Sequence, residues 1–174
     1  MCWEPRAYRP GDLAGAFLAI AATDDPEVQS QVQAEAESHN ILLNVADVPE
    51  RCNFILPALV RRGDLVLAIS TGGKSPALAR QLREKLETEL GPEYAGLLAI
   101  LGRIRSWVLE RRRPQAENEA LFKRILASDI LHWVAAGDWR QTVEHLQQVL
   151  GESLPPELGQ LVRASCAAQA EAGE

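Results

Sequence analysis

Two short apolar runs constrain this chain more than any other feature. GAFLAIAAT, Gly15–Thr23, and ILLNVAD, Ile41–Asp47, are each almost wholly apolar and each is followed by turn residues. Such runs suit strands buried on both faces, as in a parallel sheet. Between them lies TDDPEVQSQVQAEAESHN. Asp24 or Asp25 suits a helix cap, Pro26 the first helical position, and Glu27 the positive end of the dipole. Val28, Val32 and Ala36 keep helical spacing, and His39-Asn40 closes the segment. Strand, helix, strand is a βαβ unit with a right-handed crossover. The fold class expected is α/β.

The remaining segments add a hairpin and then helices. VPERCN breaks the pattern, and FILPALVRR, GD and LVLAIS read as two strands about a tight turn at Gly63-Asp64. Pro57 places the first of them at an edge or a bulge. Ser75 caps a helix that starts at Pro76 and runs to about Glu89. From Gly91 onward the pattern is helical: Tyr94–Arg113, Asn118–Ala136 and Asp138–Leu150. The Pro- and Ala-rich tail, 154–174, is expected to fray. At the other end, a scrap of strand is expected around Trp3, before a proline-rich loop. The division expected is 1–53 for the βαβ part, 54–90 for hairpin and helix, 91–153 for a helical domain, and 154–174 for the tail.

Composition narrows the function. A net charge of −6 disfavours general nucleic-acid binding, and 5% aromatics leave little for base stacking. No apolar run is long enough to span a membrane. No basic-then-apolar leader precedes the polar segment Glu4–Asp12. Cys2, Cys52 and Cys166 are odd in number and scattered, which suggests reduced thiols and a cytoplasmic protein. His39, His132 and His145 have no metal-ligand spacing, so no resident metal is expected. Trp133 and Trp139 read as core anchors, and Arg111–Arg113 as a solvated helix end.

The stretch AISTGGKSPALAR, Ala68–Arg80, matches the loose pattern of a nucleotide P-loop. A P-loop enzyme also needs a later strand ending in a magnesium-binding carboxylate, and none follows Ser75. The loop still suits an anion. Gly72 and Gly73 let backbone N–H groups face outward, Ser70, Thr71 and Ser75 add hydroxyls, and Lys74 adds a charge at a helix start. A capped strand-to-helix turn explains the same residues equally well. Asp47 ends a buried strand, where open α/β sheets bind ligands, and can serve as a base; a turn carboxylate before Pro49 is the other reading. Asp24 and Asp25 also sit at a strand end, with helix capping as the simpler account.

Taken in order, Ala22–Asp25, Asn44–Pro49, Phe54–Arg61 and Ser70–Arg80 resemble the bifunctional precorrin-2 dehydrogenase and sirohydrochlorin ferrochelatase family, which also forms the N-terminal module of sirohaem synthase. The stretch after Pro92 is similar to that family's helical domain, more loosely. The resemblance implies a partial Rossmann-like parallel sheet, a dimerisation hairpin and helix, and an all-helical C-terminal domain. It implies NAD-dependent oxidation of precorrin-2 to sirohydrochlorin and insertion of Fe²⁺, both at one site, in a homodimer. Asp47 takes the family's acid/base position. Asn44, Ser70, Thr71, Gly72, Gly73, Lys74 and Ser75 would bind the carboxylate-rich tetrapyrrole, and Thr23 and Asp24 would approach the cofactor. No glycine turn for the NAD diphosphate stands ahead of Gly15 in this sequence, so an incomplete NAD site and a truncated or divergent protein are expected. The alternatives are a non-catalytic tetrapyrrole-binding or dimerising protein, and a nucleotide-binding regulator that uses Lys74.

Overall fold

The computed structural model describes residues 3–112 and 114–172, with side chains to 168. Cys2 and Arg113 lie outside the described residues. The chain divides into two compact units, one running through Ala58 with Ile69–Arg80, the other comprising Leu59–Ala68 and the chain from Gln81.

In the first unit, β1 (Leu18–Ala21) pairs in parallel with β2 (Leu42–Val45), Leu18 opposite Leu42 and Ala21 opposite Val45. Helix α1 (Pro26–Ser38) packs on one face of this pair through Val32 and Ala36, against Ala19, Ala21, Leu43 and Val45. The helix starts where its residues dictate: Asp25 accepts hydrogen bonds from the N–H groups of Glu27 (2.8 Å) and Val28 (3.3 Å). The expectation of burial on both faces holds for one face only. Ile20 is 54% exposed, Phe17 81% and Leu18 39%. The outer edge of β2 is closed without a third strand. Asn53 accepts from the Leu43 N–H (2.6 Å) and donates to the Ile41 carbonyl (3.0 Å), while the Asn53 and Phe54 N–H groups reach the Leu43 carbonyl. One side chain thus supplies the donor and acceptor that a neighbouring strand would offer.

Ahead of β1, no strand forms among the described residues from Trp3 on, and Trp3 is exposed. A loop is instead tied to α1 by Glu35, which accepts from the Tyr8 hydroxyl and the N–H groups of Gly11 (2.8 Å) and Leu13 (2.9 Å). These bonds hold the Glu35 carboxyl below its usual range. Burial, and then the Glu35 carboxylate, push Tyr8 up to about 12.

The second unit carries the hairpin of β3 (Ala58–Arg62) and β4 (Leu65–Ile69). Gly63 turns it with φ 58°, and a Cβ there would lie 3.0 Å from that of Ala95. Helix α2 (Pro76–Glu89) ends on the Arg62 guanidinium, which donates to the carbonyls of Leu90 and Glu87 at 2.6 Å. Helices α3 (Glu93–Glu110), α4 (Gln115–Leu126), α5 (Ile130–Ala135), α6 (Trp139–Leu150) and α7 (Pro156–Ala172) enclose Ile100, Ile104, Ile125, Val134, Leu146 and Val162, all fully buried. Trp133 and Trp139 pack against this core as expected.

Two expectations change here. Asn118–Ala136 is two helices, because the Ser128 hydroxyl donates to the Ile125 carbonyl (2.6 Å) and accepts from the Ile130 N–H (3.3 Å), replacing helical bonds at that point. Among its described residues the tail forms a helix, α7, with Leu158, Val162 and Cys166 four residues apart and fully buried. Each such burial contributes about 1.5–3 kcal/mol, enough to order a helix of weak composition.

Candidate active site

The carboxyl ends of β1 and β2 open into a cleft of about 570 Å³ lined by Ala22, Thr23, Asp24, Gln29, Ala46, Asp47 and Val48. This is where an open parallel sheet presents its loops. Three loops shape the surroundings, each held by its own hydrogen bonds.

The first follows β1. The Thr23 hydroxyl accepts from the Asp25 N–H (3.2 Å), and the buried Gln29 amide donates to the Thr23 carbonyl (2.7 Å). Asp25 is occupied as the helix cap, which leaves exposed Asp24 facing the cleft. The second loop follows β2. The Val48 N–H reaches the Val45 carbonyl at 3.3 Å, and Asp47 takes φ 60°. A left-handed third position is the mark of a type II turn, usually filled by Gly or Asn. Asp47 is exposed at the mouth. Beyond it, Pro49–Arg51 form a 3-10 turn, and the Arg51 guanidinium donates to the Pro26 carbonyl (3.2 Å) and the Ser30 hydroxyl (3.1 Å).

The third loop is Ser70–Ser75. Gly72 and Gly73 have φ 61° and 76°. The Ser70 hydroxyl accepts from the Gly72 N–H, the Thr71 hydroxyl from the Ser75 N–H, and the Ser75 hydroxyl from the Leu78 N–H, each at 3.2 Å. Ser75 therefore caps α2 as its sequence suggests. A Cβ on Gly73 would lie 3.4 Å from Ile55 and 3.7 Å from Pro49, so this loop packs on the segment that follows Asp47. Lys74 is exposed. Asn44 commits its amide donor to the Phe54 carbonyl (3.0 Å) and faces the Cys52 sulphur (3.7 Å), so it braces the loop after β2.

Gln29, which sequence reasoning did not single out, lines the cleft and donates to the Thr23 carbonyl. Arg51 and Cys52 were missed as well. Their signal is non-local, since each acts on backbone that lies several residues away.

Residues 1–58 match a family model described as putative NAD(P)-binding, and residues 62–89 one described as sirohaem biosynthesis protein, central. The siroheme synthase of Azotobacter vinelandii is 36% identical over 158 residues, 90% of this chain and 34% of that protein. The siroheme synthase of Pseudoalteromonas translucida is 40% identical over 146 residues, 83% of this chain and 31% of that protein. The chain is similar to the N-terminal module of siroheme synthase. It spans about a third of the length of the curated relatives it matches. Among solved structures, the precorrin-2 dehydrogenase SirC superposes with a TM-score of 0.61 at 26% identity, covering 83% of this chain and 68% of that one. The α/β, Rossmann-like reading holds. Among the described residues, no helix is long and apolar enough to cross a membrane, and no cluster of His, Cys, Asp and Glu forms a metal site.

The cleft fits part of an NAD molecule. Thr23, Asp24 and Gln29 offer the polar groups that ribose hydroxyls and a carboxamide use. The start of α1 does not fit a diphosphate, because Asp24, Asp25 and Glu27 crowd the helix end that would otherwise attract one.

Proposed function

We propose that this chain works in sirohaem biosynthesis, oxidising precorrin-2 to sirohydrochlorin and supporting Fe²⁺ insertion at the same cleft. The observation that carries this reading is Asp47. A carboxylate held in a left-handed turn at the carboxyl end of a parallel strand, two residues before the Pro49 on which a glycine loop suited to anions packs, would take protons from a polycarboxylate ligand.

In the oxidation, precorrin-2 loses two hydrogens. Thr23, Asp24 and Gln29 would hold the nicotinamide end of NAD, which would supply the hydride acceptor for one of them. Asp47 takes the other as a proton. In the chelation, Fe²⁺ replaces two pyrrole N–H protons, and Asp47 takes the first. The Ser70–Ser75 loop and Lys74 bind substrate carboxylates through backbone N–H groups, hydroxyls and one full charge. Leu59, Val66 and Leu82 leave apolar surface on the hairpin and α2, which supports a homodimer through that region. Free Cys52 and Cys166 suit the cytoplasm.

A second reading, a tetrapyrrole-binding protein without the oxidation step, draws on the acidic start of α1. Anaerobic absorbance spectroscopy separates the two. The protein is mixed with precorrin-2 and NAD⁺, then with sirohydrochlorin and Fe²⁺ or Co²⁺, beside Asp47→Asn. Acceleration of either step, lost in the variant, is the expected result. Bound pigment with no acceleration in either protein would leave only the second reading.

A further inference from the structure

We propose that Cys52 is the positioning residue for Asp47, its thiol holding the turn that presents the carboxylate. The proposal rests on Asp47 being the acid/base. The Cys52 sulphur sits inside the loop after β2. It accepts from the Val45 N–H at 3.2 Å and from the Asn44 amide at 3.7 Å. Its one hydrogen is shared between the carbonyls of Val45 (3.3 Å) and Val48 (3.4 Å). These partners flank Asp47 on both sides, so the sulphur spans the turn from within.

The turn needs that help. A left-handed non-glycine residue costs about 1–2 kcal/mol and persists only where its surroundings over-determine it. The turn's own bond, Val48 N–H to Val45 carbonyl, is long at 3.3 Å. Arg51 anchors the next turn to α1 but does not reach the residues either side of Asp47. Cys52 is therefore the side chain among the described residues that bonds both ends of the Asp47 turn. Its backbone N–H bonds Pro49, which fixes the sulphur against the loop it holds.

A misplaced base lowers turnover without weakening substrate binding, because the Ser70–Ser75 loop grips the pigment independently. Cys52→Ala removes donor and acceptor together; Cys52→Ser keeps both. Both variants are compared with the wild type and Asp47→Asn, using sirohydrochlorin with Co²⁺ and precorrin-2 with NAD⁺, and with circular dichroism melts. Cys52→Ala should lower kcat by about tenfold or more with KM within about twofold, and Cys52→Ser should restore kcat to within about threefold, at equal Tm. Where Cys52→Ala does not fold, the pair Cys52→Thr and Cys52→Val, equal in shape and different in hydrogen bonding, replaces it with the same expectation. Full turnover in the variants that cannot hydrogen-bond would overturn the proposal, as would equal loss in the variants that can. If Asp47→Asn itself keeps full activity, the functional reading fails first and separately.

Discussion

The two units of this protein are built on different terms. The helical unit surrounds a deep core in which six aliphatic side chains, from Ile100 to Val162, are shut away completely. The sheet unit has a shallow core on one side of two strands and a bare apolar face, with Leu18 and Ile20, on the other. Yet every candidate site residue lies in the sheet unit, all but Asn44 and Gln29 on loops held by side-chain hydrogen bonds. The deep core is concentrated in one part and the candidate site in the other. The loops around the candidate cleft sit where local structure rests on a few polar contacts, which is the low-stability end of a fold.

The largest expected effect tests that difference directly. Ile104→Ala removes a fully buried side chain from the helical core and should cost about 2–5 kcal/mol by urea denaturation. Ile20→Ala, on the bare face, should cost less than about 0.5 kcal/mol. A cost for Ile20→Ala near that of Ile104→Ala would mean that its face is covered in solution, and the contrast between the units would disappear.

That bare face also marks a limit of what the residues alone convey. The run Gly15–Thr23 is apolar on both faces, so it announces a strand but not which face finds a partner. The strands, α1 with its Asp25 cap, and the hairpin turn at Gly63 were legible because each depends on residues within a few positions. The break at Ser128 was not, because it depends on which way one hydroxyl points. Helix α7 was hidden by its Ala- and Pro-rich composition, although Leu158, Val162 and Cys166 already carried a period of four. Asp47 was legible as a strand-end carboxylate. Its left-handed backbone and the sulphur behind it were not, since both depend on the chain returning from Arg51 and Cys52.

Asp47 offers the next test. Glycine adopts φ 60° freely, so Asp47→Gly should relieve the left-handed strain, partly offset by the greater freedom of glycine in the unfolded chain. A net gain of roughly 0.5–1 kcal/mol is expected, with complete loss of turnover. The reading is a higher midpoint of denaturation alongside an inactive protein. A less stable Asp47→Gly protein would show that the carboxylate makes contacts that hold the turn, and that strain there is not the dominant effect.

Acid should separate the units by a smaller margin and in a definite order. Burial, then the charge of Arg124, hold His145 in the helical unit below its usual value, beside Trp133 at 5.3 Å. The unfolded chain therefore takes up the proton first, so His145 contributes fully above about pH 6.5 and its contribution falls as pH drops from there. Glu35 in the sheet unit behaves differently. Its carboxyl is held low by Tyr8 and the Gly11 N–H, so its contribution stays whole until pH falls below the usual carboxylate range, about 4.3, and is lost on passing its own folded value. Between those two ranges the helical unit should weaken while the Tyr8–Leu13 loop remains tied to α1. Hydrogen exchange at the Gly11 and Leu13 amides, set against exchange at amides of α6, would follow each unit separately. His145→Phe should flatten the upper slope and Glu35→Gln the lower one. If Glu35→Gln instead removes the slope near neutral pH, the assignment of the two titrations to the two units is wrong.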